Sequence, residues 1–217
     1  MPPAVGLRER NKAKRRNAVL DAALEMLDDP EMVALTTEQI AERAELSVAT
    51  VYNLVGTREQ LLLALIDRLI ADLMSSSAVN APVDDPVASL RDLISGSVEA
   101  LTTRPTAYRR VVLQLTAAAN GDLHTKLSPA RAGSEEFRRA QAAGLVRHDL
   151  EPDALALQVY LSYNGALLRW AAGALTDISF KAAALHGLAV VLAASATPQT
   201  RASFDDDLQT LGAHLLR

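Results

Sequence analysis

Thr36-Thr37-Glu38-Gln39-Ile40-Ala41-Glu42-Arg43-Ala44-Glu45-Leu46-Ser47-Val48-Ala49-Thr50-Val51-Tyr52-Asn53-Leu54 reads as two short helices joined by a tight turn, an arrangement that can carry the second helix into a DNA groove. Thr37 is placed to cap the first helix, with Ile40 as its apolar anchor and the small Ala41 and Ala44 on its inner face. Leu46 falls at the corner. Ser47 is placed to cap the second helix, where Val51 and Leu54 point inward at helical spacing and Ala49, Thr50, Tyr52 and Asn53 are left outward.

A helix tip that enters a major groove must be slim where its backbone approaches base edges and phosphates, and Val48, Ala49 and Thr50 meet that need. The amides and partial positive charge of its N-terminus favour a phosphate oxygen, with the Ser47 and Thr37 hydroxyls as further donors. The Tyr52 phenol can donate to a phosphate, and the Asn53 amide can pair with a base edge. The plain alternative is a helical hairpin that binds nothing, because capped antiparallel helices are common.

The flanks favour the nucleic-acid reading. Upstream stand Arg8, Arg10, Lys12, Lys14, Arg15 and Arg16, opposed within that run only by Glu9. A basic arm before a capped helical pair is the electrostatic footprint of a duplex binder, although a charge run alone is more often a solvated face. Downstream, Gly56 ends one helix and Thr57 starts another, with Gln60 placed to close a capping box and Arg58 beside it, within reach of the backbone.

Over residues 12 to 70 the chain resembles the tetracycline-repressor (TetR) family of transcriptional regulators. The likeness is carried by an apolar-faced first helix, Thr37-x-x-x-Ile40-Ala41-x-x-Ala44, Ser47-x-x-Thr50-x-Tyr52 and Thr57-Arg58-Glu59-x-Leu61-Leu62. It departs at Glu45, where the family often has Gly, at Leu54-Val55, where a His-Phe pair is frequent, and at Arg58, where Lys is favoured. A non-Gly residue in a left-handed turn costs on the order of 1 kcal/mol. The residues expected at DNA are Arg15, Thr37, Ser47, Val48, Ala49, Thr50, Tyr52, Asn53, Thr57 and Arg58.

Composition is compatible with this. The 217 residues, nearly half apolar, suffice for a small head and one larger domain. The net charge of −4 is acidic for a DNA binder, but recognition needs only local positive charge, and Asp28, Asp29 and Glu31 are expected on the far side of the head. With no cysteine, neither a disulfide framework nor a thiolate nucleophile is available. The start lacks the apolar run of a signal peptide, and the most apolar window, residues 182 to 196, is interrupted by His186 and shorter than the roughly 20 residues a bilayer needs. A soluble, cytoplasmic chain without membrane attachment is expected.

Every long periodic segment reads as helix, so the fold class is all-α: an N-terminal three-helix head with a helix-turn-helix, then a larger helical ligand-binding and dimerisation domain. Helix one is expected over residues 11 to 28, burying Ala13, Leu20, Ala23, Leu24 and Leu27 before Pro30. Helix four should start near Thr57 and carry Leu61, Leu62, Leu65, Ile66, Leu69, Ile70 and Leu73 toward Ser75, Ser76 and Ser77. Residues 80 to 86 form a proline-rich break. The expected division is arm and helix-turn-helix at 1–56, connecting helix at 57–80 and body at 81–217. Body helices are expected over 87–101, 105–119, 128–143, 152–174 and 178–196, with Gly121 and Gly144 as interruptions. The order of the tail from Pro198 is left open.

The last two of these helices are apolar on more than one face and rich in small residues. Pairing with the same two helices of a second subunit would bury them, which makes Leu155, Val159, Ala166, Leu185, Leu188 and Leu192 the expected dimer interface. An intrachain core is the alternative. A homodimer presents two reading helices to a palindromic operator about 34 Å apart. The family resemblance further implies a small-molecule effector that releases the repressor from DNA. Tyr108, Gln114, Tyr163, Asn164 and Trp170 are candidate ligand contacts, each more readily explained as packing, while Arg109 and Arg110 are expected to face solvent. No catalytic, cofactor or metal site is read: His124, His148, His186 and His214 lack ligand spacing, and Ser95-Gly96-Ser97 sits in a helix interior. The competing function is a helical ligand-binding or catalytic bundle whose head mediates protein contacts.

Overall fold

The computed structural model describes residues 6–32, 34–80, 85–118 and 129–215, without the side chains of 73–80, 118, 129–130 and 214–215. The chain start, the middle of the proline-rich break, Gly121, His124, Leu216 and the side chains of Leu73, Ser75, Ser76, Ser77 and His214 therefore lie outside the described residues. Among those described, the chain forms ten helices and no strand: α1 (Leu7–Asp28), α2 (Thr37–Arg43), α3 (Val48–Val55), α4 (Arg58–Asn80), α5 (Pro86–Thr102), α6 (Pro105–Ala118), α7 (Pro129–Ala142), α8 (Pro152–Ala171), α9 (Asp177–Ser195) and α10 (Arg201–Leu215). Two compact units result. The first holds the described residues of Met1–Arg68 and Arg104–Thr125, the second those of Leu69–Thr103 and Lys126–Arg217.

In the first unit α1 begins at Leu7, four residues before the sequence expectation, so part of the basic arm is itself helical. Arginine, lysine, alanine and glutamate form helix well without tertiary support, and this turn-and-a-half is exposed together with Ala13, which was expected to be buried. Burial starts where other helices meet α1, at Val19, Leu20, Ala23 and Leu27. Val51 of α3, Leu61, Leu62 and Leu65 of α4, and Ala107, Val111, Val112 and Leu115 of α6 complete this core. Burying each of the valine and leucine side chains is worth about 1.5–3 kcal/mol before conformational entropy is counted.

The cap of α2 is Thr36, not Thr37. Thr36 has the extended backbone that a cap requires, and its Oγ1 accepts from the Gln39 amide at 3.3 Å while Gln39 Oε1 accepts from the Thr36 amide at 3.2 Å. The reciprocal pair needs a Thr three residues before a Gln, and only Thr36 stands there. Thr37 is the first helical residue and its hydroxyl has no part in that cap.

The second unit is built around α9, which packs on α5, α8 and α10, with α7 against α8 and α5. Trp170, Phe180 and Phe137 are fully buried in it. α9 is long and apolar enough to cross a membrane, and its three helical neighbours account for that character. α8 stops at Ala171 rather than 174 because Gly173 turns left-handed at φ 77, and the Ala174 amide folds back to Arg169 O at 2.8 Å. The tail that the sequence left open is α10, packed on α9 with Phe204 buried and tied to α5 by an Arg91–Asp207 ion pair. The connector before α8 is pinned by Gln141, whose Nε2 donates to Arg147 O at 2.8 Å and Leu150 O at 2.7 Å.

Candidate nucleic-acid interface

The turn between α2 and α3 is set by backbone hydrogen bonds. The Leu46 amide reaches back to Ala41 O at 2.9 Å and the Glu45 amide to Glu42 O at 3.1 Å, the pattern that closes a helix through one left-handed residue. That residue is Glu45, at φ 55. Ser47 then caps α3: the Thr50 amide donates to Ser47 Oγ at 3.2 Å, and the two hydroxyls lie 2.8 Å apart. One hydroxyl hydrogen joins this pair, so the other remains to be donated outward.

The rest of α3 follows from its period. Val51 and Val55 are buried, Leu54 is half-buried, and Ala49, Tyr52 and Asn53 are exposed, Tyr52 by 53%. The helix ends at Gly56, whose φ of 78 and ψ of −137 suit glycine alone. A Cβ there would stand 1.8 Å from Gln60 Oε1. That oxygen is occupied as the acceptor of the Thr57 amide at 2.8 Å, half of a capping box completed by the Gln60 amide and Thr57 Oγ1 at 3.3 Å.

Between the start of α2, the end of α3 and the start of α4 lies a cleft of about 250 Å³. Its floor is apolar and buried, formed by Leu35, Ile40, Val51, Val55 and Leu61. Its polar lining consists of Thr36, Thr37, Glu38, Tyr52, Thr57 and Arg58. Four residues singled out from the sequence, Thr37, Tyr52, Thr57 and Arg58, thus meet in one place, with Glu38 as an acidic neighbour. Ser47, Val48, Ala49, Thr50 and Asn53 lie along α3 outside this cleft, and Arg15 is exposed on α1.

Two contacts in this unit had no local sequence signal. Arg58 Nη2 donates to Gln114 Oε1 of α6 at 2.8 Å. Arg110, expected in solvent, instead donates from Nη1 to Leu27 O at 3.1 Å and Asp29 O at 2.7 Å, and from Nη2 to Pro30 O at 3.1 Å. Those carbonyls end α1, where no intrahelical donor remains and a cation is favoured.

The five candidate ligand contacts divide between the units. Tyr108 is buried in the first unit, where Gln114 also lies. In the second, Trp170 is fully buried, stacked on Phe180 with ring centroids 5.2 Å apart, and its Nε1 donates to Asp177 Oδ1 at 2.7 Å. Tyr163 shares a hydrogen bond with Ser97, and burial pushes its phenol up to about 12 against the opposing effect of that bond. Asn164 is half-buried. A separate cavity of about 280 Å³ in this unit is lined chiefly by Leu185, Leu188, Ala189, Leu192 and Leu211, with Arg91, Asp207 and Thr210. Of the expected dimer residues, Val159, Ala166, Leu188 and Leu192 are buried within the chain's own core, and Leu155 and Leu185 are half-buried. The exposed apolar groups are instead Leu157 and Leu161 on α8 and Ile178 and Val190 on α9.

Among the described residues the chain is all-helical, with a helix-turn-helix in its head and a larger helical body. Its N-terminal head is similar to that of the TetR family. Residues 19–65 match the family model described as bacterial regulatory proteins, tetR family. The chain is 35% identical over 89 residues to the HTH-type transcriptional regulator BetI of Rhizobium meliloti, covering 41% of this chain and 37% of that protein. It is 27% identical over 135 residues to the uncharacterized HTH-type transcriptional regulator YdeS of Bacillus subtilis, covering 62% and 64%. The chain thus spans under two thirds of the length of either curated relative. In fold it is similar to SmeT, the repressor of the Stenotrophomonas maltophilia multidrug efflux pump SmeDEF, with a TM-score of 0.61 and 22% identity over 85% of this chain and 92% of SmeT. It is likewise similar to Thermus thermophilus FadR, a TetR-family repressor solved with lauroyl-CoA, with a TM-score of 0.63 and 22% identity over 82% and 93%.

Proposed function

We propose that the protein is a homodimeric, sequence-selective DNA-binding repressor released from its operator by a small molecule. One observation carries the reading: Thr37, Tyr52, Thr57 and Arg58, from three helices, line a single cleft beside the exposed face of α3. Hydroxyls, a phenol and a guanidinium above an apolar floor suit a backbone phosphate, which fixes register while the neighbouring helix meets bases. Within this proposal Asn53 reads a base edge, Ser47 and Thr50 supply a hydroxyl, Val48 and Ala49 keep the helix tip slim, and Arg15 adds a phosphate contact. The arm and head at 1–56 bind DNA, α4 links them to the body, and residues from 81 onward carry effector and partner. Dimerisation engages α8 and α9 through Leu157, Leu161 and Val190, which a monomer leaves in water. For the effector, the half-buried Tyr163 and Asn164 remain the candidates. The site of action is the cytoplasm, where the chromosome is, and no enzymatic step is assigned.

The test is duplex selection from genomic fragments, followed by binding across a salt series with light scattering of the free protein. Expected are an enriched inverted repeat, a dimer, and a logarithmic affinity falling with log salt by about 0.9 for each phosphate neutralised. A monomer at micromolar concentration removes the dimer. Absence of any enriched duplex removes the DNA reading and favours the protein-contact alternative.

A further inference from the structure

Among the described residues lining the head cleft, Arg58 alone is cationic. Its guanidinium is exposed, yet it is held from the side by Gln114 Oε1 at 2.8 Å. Gln114 stands four residues beyond Arg110 on α6, and residues so spaced share a helix face. That face is fixed in register on the first unit by the three carbonyls that Arg110 gathers at the end of α1, and by the packing of α6 on α1. A guanidinium has five N–H donors, so the single bond to Gln114 leaves the others for a ligand. The acceptor is also neutral. It fixes the long side chain without cancelling its charge, which removes part of the ordering cost a flexible arginine meets on binding. A carboxylate at the same place would cancel the charge, and an apolar group would leave the arginine unguided.

We propose that Gln114 is a positioning residue for DNA binding: from α6, with no DNA contact of its own, it presets Arg58 for a backbone phosphate. The proposal rests on the DNA reading above. It makes the phosphate affinity of the head depend on the register of α6, since sliding α6 along α1 would withdraw the amide from Arg58.

The experiment uses the full chain and a labelled duplex recovered by the wild-type protein from a randomised library, titrated by fluorescence anisotropy over a salt series. Gln114→Met, which keeps the side-chain length and loses the acceptor, should lower affinity about three- to tenfold. Its salt slope should be unchanged, because Arg58 remains charged. Gln114→Glu should lower affinity further and reduce the slope by about 0.9, one phosphate's worth. In an Arg58→Ala background Gln114→Met should have no additional effect, an outcome a merely structural role would not give. Unchanged or increased affinity in Gln114→Met, or an equal loss with and without Arg58, overturns the proposal while leaving the DNA reading in place. A wild-type protein that recovers no duplex overturns both.

Discussion

Three helices of this chain close through the same backbone motif, and the two compact units fill its left-handed position differently. In the body, Gly144 after α7 and Gly173 after α8 take φ values of 71 and 77, which glycine adopts without steric cost. In the head, the same position after α2 belongs to Glu45 at φ 55. The polar side chains follow a similar division. Those of the body are tied internally, Tyr163 to Ser97, Trp170 to Asp177 and Lys181 to Glu99. On the outer face of α3, Tyr52 and Asn53 are exposed, and Ser47 and the half-buried Thr50 engage in a cap. One region is arranged for its own stability; the other carries strain and keeps donors open, as a surface that must meet a partner does.

The strongest test pairs one substitution from each region. Trp170→Ala removes a fully buried ring, its stacking on Phe180 and the donor to Asp177. It should cost about 3–5 kcal/mol in denaturant unfolding. Tyr52→Ala, at a residue 53% exposed, should change stability by no more than about 0.5 kcal/mol. The same change should lower duplex affinity about tenfold if the phenol donates to a phosphate. A stability loss at Tyr52 comparable to that at Trp170 would break the contrast.

A smaller effect separates the regions by pH. The unfolded Tyr163 phenol loses its proton near the ordinary value of about 10, whereas burial in the fold raises that step to about 12. Between these values the unfolded chain binds fewer protons than the folded one, so stability present below the lower value is lost as pH rises through the window. Wild type should lose about 2–3 kcal/mol more than Tyr163→Phe there, read as the difference between their unfolding midpoints. Equal alkaline losses would place Tyr163 in a wetter environment than its bond to Ser97 suggests.

How much of this was legible depended on whether a signal was local. The caps at Ser47 and Thr57 and the stop at Gly56 could be read because each depends on neighbours within five residues, whereas the left-handed Glu45 was anticipated only from the family resemblance. The cap of α2 was misplaced by one residue although Thr36-x-x-Gln39 was in view. Helix spacing found the apolar faces of α8 and α9 but not which side each turns to its own chain, since both sides are apolar; hence Leu188 and Leu192 are core while Leu157 and Leu161 are exposed. Of the polar residues in the head cleft, Thr37, Tyr52, Thr57 and Arg58 were named from sequence and Thr36 and Glu38 were not. The contacts of Arg110 and Gln114 were not, because they join positions more than fifty residues apart and leave no periodic trace.

The finest test returns to the left-handed position. Glu45→Gly relieves the crowding of a Cβ at φ 55 but gives the unfolded chain more freedom to lose, and these effects oppose one another. Strain of on the order of 1 kcal/mol against a slightly smaller entropic penalty leaves a net gain of about 0.5 kcal/mol. The urea midpoint should rise with an unchanged slope, because neither state becomes more compact. Duplex affinity should stay the same, since glycine can hold the existing geometry and the amide bonds from Glu45 and Leu46 to Glu42 and Ala41 do not involve the side chain. A fall in affinity with stability gained would instead show that the glutamate restrains the angle between α2 and α3, and that the strain in the head serves presentation of the second helix.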